Sequence, residues 1–281
     1  MRPRPRIPTM DNARLELLYL LLALLLAVPS GGASSGLPLE GKEAETFLMT
    51  AQIVDKETLP IGVTRPQRVS LSAGERSARA IWKTIDEYEP FKRFDDGSFE
   101  MGFVDSYKNE LAAYELDKLI GLGMVPPVVE RRVGGERGAM QLWVEGTLME
   151  TERINRGLRP KVPEYWNQQM FKVRLFHNLI YDTDFNNMGN ILSDPDSRIY
   201  LIDHSRAFRT TKKLLSEGDL TRFSRSLLEG LRGLDDKILK EKLGRWLSKK
   251  QIVGLLARRD LILQHAEQLI AARDQAEVLY P

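Results

Sequence analysis

Lys83 stands at the centre of an otherwise apolar run, Ala80-Ile81-Trp82-Lys83-Thr84-Ile85. A strand lysine tied to a helix carboxylate can hold the α- and β-phosphates of ATP, because the carboxylate orients the ammonium. Taken alone, Lys83 reads as the polar face of an edge strand. The helical stretch that follows offers Asp105 and Glu110, with Glu115 as a rival partner beside its apolar stripe. A second polar cluster, Tyr181 to Leu192, contains Asp184, Asn187 and Asn190, and thirteen residues past Asn190 comes Asp203, at the end of Leu201-Ile202. An Asp and an Asn in a loop, then a strand ending in Asp, suits phosphoryl transfer. Asp184 would accept the proton of the attacking hydroxyl, while Asn190 and Asp203 would hold Mg²⁺ against the phosphates. Magnesium takes few, hard oxygen ligands, which carboxylate and amide supply. The plain alternative is an Asn/Gly-rich turn followed by a capping Asp. The order Lys, Glu, Asp…Asn, Asp along the chain favours the chemical reading.

Two weaker features fit the same scheme. Gly62-Val63-Thr64-Arg65-Pro66 precedes the lysine run and reads as a phosphate-covering loop in which backbone N–H groups and Arg65 face the anion, or simply as a loop. It lacks the GxxxxGK[ST] pattern. Gln141-Leu142-Trp143-Val144 lies where an adenine-contacting hinge would sit, making Gln141 and Val144 candidate nucleotide contacts. Competing schemes lack their residues: there is no GxSxG and no HExxH. His204 reads as a group packing or capping behind Asp203.

The elements that must position these residues can be read from periodicity. Val69-Ser70-Leu71 and residues 80–85 read as strands around a hairpin turn at 73–76, and Asp95-Asp96-Gly97 as another turn. Residues 105–122 read as a helix with Ala112, Leu116, Leu119 and Ile120 on one stripe, stopped by Gly121 and Gly123. Residues 128–133 and 139–144 read as strands around Gly134-Gly135. Beyond 146 the chain turns helical, with a helix at 171–181, short strands at 191–192 and 199–202, and amphipathic helices over 211–278. The expected class is α+β, with a small antiparallel-sheet N-lobe carrying one helix (59–145), a mainly helical C-lobe (146–281) and a cleft between them.

Net charge is only +2, from 41 Lys+Arg against 39 Asp+Glu, which gives no footing for a nucleic-acid partner. The absence of cysteine excludes disulfides, thiolate nucleophiles and cysteine zinc sites, and three histidines argue against a multi-histidine metal centre. Four arginines precede the apolar run 17–28, and Gly31-Gly32-Ala33-Ser34-Ser35-Gly36 follows it. Residues 1–33 therefore read as a signal peptide cleaved after Ala33 or as a membrane anchor, implying export or membrane association. A mis-assigned start, with a cytoplasmic protein, is the alternative. Residues 34–58 read as a linker holding one edge strand or short helix.

The segments 60–66, Ile81-Trp82-Lys83, 109–119, Val125-Pro126-Pro127, 201–208 and 258–262 resemble atypical kinases. The likeness is to bacterial phosphatidylinositol 3-/4-kinase-like proteins and, more distantly, to secretory-pathway protein kinases. It covers roughly residues 58–280 and implies a two-lobed protein-kinase-like fold. It implies that Lys83 contacts the phosphates, Glu110 pairs with it, Asp184 is the catalytic Asp, Asp203 holds metal, and Asp105 matches a metal-holding acidic position. The usual loop reads Asp-Arg-His or Asp-Arg-Asn, with five residues from Asp to Asn. Here Asp184 is followed by Phe185-Asn186, and Asn190 lies six residues on, so either the loop bulges by one residue or Asn187 helps hold the metal. The functional expectation is an ATP- and Mg²⁺- (or Mn²⁺-) dependent transferase of the γ-phosphoryl group to a hydroxyl of a protein, lipid head group or small molecule. A catalytically weak or inactive nucleotide-binding scaffold, and an AMP transferase using the same site, stay open.

Overall fold

The computed structural model describes residues 36–59, 66–94 and 97–281. The N-terminal stretch 1–33, Arg65 and the turn residues Asp95 and Asp96 lie outside the described residues. Helix α1 (Gly41–Thr50) is followed by β1 (Gln52–Thr58), β2 (Gln67–Ala73) and β3 (Arg76–Lys83). Next come a hairpin of β4 (Asp86–Arg93) and β5 (Phe99–Ser106), helix α2 (Tyr107–Ile120), β6 (Val128–Val133) and β7 (Glu136–Leu142). The five-stranded antiparallel sheet runs β1-β2-β3-β7-β6. Side chains alternate across it. Val69, Leu71, Ala80, Trp82, Met140 and Leu142 pack under α1 through Ala44, Phe47 and Leu48. Ile81 and Lys83, one residue out of phase with Ala80 and Trp82, therefore face the other way.

The expected linker at 34–58 is instead part of this lobe, supplying both a helix and the edge strand. Ala44, Phe47 and Leu48 stand at i, i+3, i+4, and each fully buried side chain of the larger kind contributes about 1.5–3 kcal/mol. The sheet lobe thus carries α1 in addition to the expected α2. Helix α2 begins at Tyr107 rather than 105, because the Ser106 hydroxyl accepts from the Lys108 N–H at 3.2 Å and caps it. Asp105 consequently belongs to β5. The helix ends at Gly121 in the left-handed region, φ 68°, as the glycine signal indicated.

Gly138 in β7 sits where β3 ends. A Cβ there would lie 2.3 Å from the Lys83 carbonyl oxygen and 2.9 Å from the Trp82 ring. Gly138→Ala must push the end of β3 aside, so it is expected to destabilise by about 1–3 kcal/mol in denaturant unfolding and to weaken any function that depends on Lys83.

The second half holds β8 (Leu148–Met149), α3 (Glu150–Asn155), α4 (Pro163–Ile180), β9 (Ile191–Ser193) and β10 (Ile199–Leu201), with β8, β9 and β10 in one small sheet. It closes with β11 (Phe223–Ser224), α5 (Arg225–Arg232), α6 (Asp236–Leu243), α7 (Lys249–Ala272), α8 (Gln275–Val278) and β12 (Leu279–Tyr280). Its core joins α2 to α4, α5, α6 and α7 through Leu111, Leu116, Phe176, Leu231, Leu239 and Leu255. Helix α2 is thereby anchored in the helical half, although the β5 strand that leads into it belongs to the sheet half.

Candidate active site

Lys83, at the end of β3, has its Nζ 2.6 Å from Glu110 Oε1 and 2.8 Å from Asp203 Oδ1. Glu110 on α2 is 1% exposed, and its second oxygen accepts the His204 N–H at 3.0 Å. Burial pushes the Lys83 pKa down, but the Asp203 and Glu110 carboxylates push it up by more, so the amine stays an ammonium. The Lys83 ammonium holds the Asp203 carboxyl below the usual carboxylate range, against the upward push of burial. Glu115, the rival partner, pairs with Lys118 on its own helix instead.

The segment after β10 is shaped to present Asp203. Asp203 and Phe208 both take left-handed backbone, φ 61° and 58°, a region costly for residues with side chains and more so for a buried phenylalanine. The turn is secured from α2: Asn109 Nδ2 donates to the carbonyls of Ser205 (2.7 Å) and Ala207 (3.1 Å), and the Ser106 N–H donates to the Ser205 carbonyl at 3.0 Å. From behind, the buried Arg258 of α7 donates to the carbonyls of Leu179 (2.8 Å), Arg209 (3.0 Å) and Thr211. Burial brings its pKa down to about 10, so it remains charged at neutral pH.

The Asp184 loop is attached on both sides of Asp203. Tyr181 ends α4 in the left-handed region, the Thr183 hydroxyl donates to the Arg206 carbonyl at 3.2 Å, and the Ile202 N–H donates to the Asn190 carbonyl at 3.0 Å. Asp184 Oδ2 accepts from Asn190 Nδ2 (2.9 Å) and Asn187 Nδ2 (3.0 Å). The extra residue of the loop is taken up in a single 3₁₀ turn, Met188–Asn190, capped by Asn187 Oδ1 on the Gly189 N–H. Asn187 thus has its amide nitrogen and its carbonyl engaged within the loop. The side-chain carbonyl of Asn190 has no partner among the described residues.

His204 packs edge-to-face on Phe176, its Nδ1 3.5 Å from Asp182 Oδ2, a supporting place rather than a reacting one. His177, in the last turn of α4, is buried, and burial brings its pKa down to about 4. The unfolded chain takes up this proton near pH 6.5 and the folded chain only near pH 4. The neutral imidazole therefore supports folding fully above about 6.5 and loses up to about 3 kcal/mol as pH falls toward 4. Urea titrations across that range are expected to show a shallower pH slope for His177→Leu than for the parent.

A slot of about 310 Å³ is lined by residues that include Ile81, Gln141, Val144, Leu192 and Ile202; Ile81 lies two residues before Lys83 on the same strand face, and Ile202 directly precedes Asp203. Within it, Gln141 Nε2 is buried with no partner, and the buried Val144 has a backbone N–H without an acceptor among the described residues. An apolar slot with two unmet donors matches the flat, acceptor-rich edge of a purine. Asp105 completes the polar end. Burial raises its pKa and the neighbouring Asp203 raises it further, and its Oδ1 is buried without a partner. Two interacting carboxylates, one with an orphaned oxygen, suit a hard divalent cation. Among the described residues no three acidic or histidine side chains converge as an ion site, so such an ion would draw its remaining ligands from phosphate and water.

Residues that sequence reading did not single out include Asn109, which secures the Asp203 turn, and Ile81, Leu192 and Ile202, which line the slot. The signal for Ile81 and Ile202 was their position, two residues before Lys83 and one before Asp203.

No protein-family model matches the sequence, and no curated protein matches it. Solved structures do. Hydra Fam20 in complex with a sugar superposes with a TM-score of 0.58 at 15% identity, covering 84% of this chain and 90% of that one. A Golgi casein kinase gives 0.57 at 14% identity over 85% and 76%. A Golgi casein kinase structure with Mn/ADP bound gives 0.56 at 14% identity over 99% and 94%. The chain has the two-lobed α+β kinase-like fold.

Proposed function

We propose that this protein is an ATP-dependent phosphotransferase that uses Mg²⁺ or Mn²⁺ and transfers the γ-phosphoryl group to a hydroxyl. The single observation that carries this reading is the convergence of Lys83, Glu110 and Asp203 through contacts of 2.6 and 2.8 Å, with their chain neighbours Ile81 and Ile202 lining a slot that can take a purine. Adenine enters the slot against Gln141 and Val144. Lys83, oriented by Glu110, holds the α- and β-phosphates. Asp203, with Asp105 and the Asn190 carbonyl, holds the divalent ion, which when bound neutralises charge on the phosphates. Asp184 accepts the acceptor's proton as its oxygen bonds to the γ-phosphorus and the bond to the ADP oxygen breaks. The acceptor is a protein, lipid head group or small molecule. Kinship with phosphatidylinositol 3-/4-kinase-like proteins rests on the sequence motifs alone. Export or anchoring rests on residues 1–33. No helix among the described residues is long and apolar enough to cross a membrane.

A non-catalytic nucleotide-binding role is favoured by one observation: two asparagine amides already donate to Asp184 Oδ2, so that oxygen is engaged within its own loop rather than free for an acceptor hydroxyl. One experiment separates the readings. The chain is titrated calorimetrically with Mn-ATP and then incubated with it, and the products are identified by mass spectrometry. Binding with ADP release supports phosphotransfer, binding without turnover supports the scaffold, pyrophosphate release supports AMP transfer, and no binding overturns all three.

A further inference from the structure

A cavity of about 700 Å³, more than twice the size of the slot, lies outside the nucleotide crevice. None of Lys83, Asp105, Glu110, Asp184 or Asp203 lines it. Its walls come from the β4–β5 hairpin, the start of α2, residues 208–211 beyond the Asp203 turn, and residues 246–251 at the opening of α7.

The carboxylates that line it are all answered by cations. Asp86 is taken by Lys108 and by the Ser106 hydroxyl, and Glu87 by Lys92. Glu100 alone serves two guanidinium groups, those of Arg206 and Arg209. The cavity's three lining carboxylates, Asp86, Glu87 and Glu100, equal its three lining cations, Lys108, Arg209 and Lys250, in number, and Lys250 is the lining cation that no carboxylate holds among the described residues.

Two of its hydrogen-bond donors are also unmet. Arg209 is only 9% exposed; its Nη2 serves Glu100 Oε1 at 2.8 Å and the Met101 carbonyl at 3.0 Å, but its Nη1 is buried with no acceptor. The indole Nε1 of Trp246 is likewise buried without an acceptor. A buried donor left unpaired costs stability, and a desolvated guanidinium costs more, unless something acidic answers it. Lys250 sits in the first turn of the long helix α7, whose N-terminal end adds further attraction for an anion.

We propose that this cavity binds a phosphate-bearing small molecule, its phosphate received by Arg209, Trp246 and Lys250. The volume is in the range usual for small-molecule sites. The ligand would bridge the start of α2 and residues 208–211. Asn109, which lines the cavity, directly precedes Glu110, and Thr183, which also lines it, directly precedes Asp184. Occupancy therefore favours the docked arrangement of α2 against the Asp203 turn, and the cavity acts as an effector site.

The test uses the full chain without nucleotide or divalent metal, so its outcome is independent of the phosphotransfer reading. Glycerol 3-phosphate is titrated calorimetrically into the parent, Lys250→Ala, Trp246→Phe and the control Lys249→Ala. Lys249 carries the same charge but does not line the cavity. The proposal expects saturable binding to the parent, weakened on the order of tenfold in Lys250→Ala, in Trp246→Phe or in both, and within about twofold of the parent in Lys249→Ala. It also expects slower amide hydrogen exchange at the start of α2 when the ligand is present. Absence of saturable binding to the parent, equal affinity in both cavity variants, or equal weakening in the Lys249→Ala control would each overturn it. So would binding that leaves exchange at α2 unchanged.

Discussion

Replacing Asp203 by Asn is expected to remove the Mg-ATP-dependent rise in melting temperature and to lower the proposed phosphoryl transfer by about 10³-fold or more. The change is nearly isosteric, and Lys83 keeps its 2.6 Å contact to Glu110, so the fold is retained. What is lost is the formal charge that, in the proposed function, holds the divalent ion against the phosphates. For the parent, nucleotide at 100 times its Kd stabilises by about 2.7 kcal/mol. A fluorescence melt with and without Mg-ATP measures that difference directly. If the Asn variant shifts as the parent does, the role given to Asp203 is wrong.

Glu110→Ala is expected to cost about 3–5 kcal/mol of stability in denaturant unfolding, the penalty for removing one partner of a buried ion pair. Glu110 is 1% exposed and serves two donors, the Lys83 ammonium and the His204 N–H. Alanine leaves the amide without an acceptor and the ammonium with Asp203 alone. Glu110→Gln keeps the volume and one acceptor oxygen and is expected to lose less stability, while still releasing Lys83 from its orientation. Equal stability of the Ala variant and the parent would show that Glu110 does not hold the two lobes in register.

Much of the site was legible because its residues interrupt regular patterns. A lysine in an apolar strand, a carboxylate one turn into a periodic helix and an Asp at the end of a short strand each break a local rule, and their order narrows the fold. The start of α2 was harder. Helical periodicity runs back to Asp105, and only Ser106, a good capping residue, marks the true boundary. The β4–β5 hairpin was hidden for another reason. Its first strand is mostly charged and carries Pro90, so the alternation that betrays a half-buried strand shows only in the second, at Phe99, Met101 and Phe103, of which Phe99 and Met101 are exposed. Helix α1 carried its signal in Ala44, Phe47 and Leu48, within a stretch otherwise rich in polar residues. Asn109 could not have been found locally, since its partners lie 96 and 98 residues away.

The direct contact between Lys83 and Asp203 has a consequence for how metal reaches the site. A free divalent cation meets a carboxylate already matched by an ammonium 2.8 Å away and must evict it. A nucleotide arriving with its own ion can instead draw the lysine onto its phosphates and leave Asp203 to the metal, so that one exchange of partners serves both. In the proposed function the lysine would thus act as a placeholder, making the site poor at scavenging lone ions and selective for the metal–nucleotide pair.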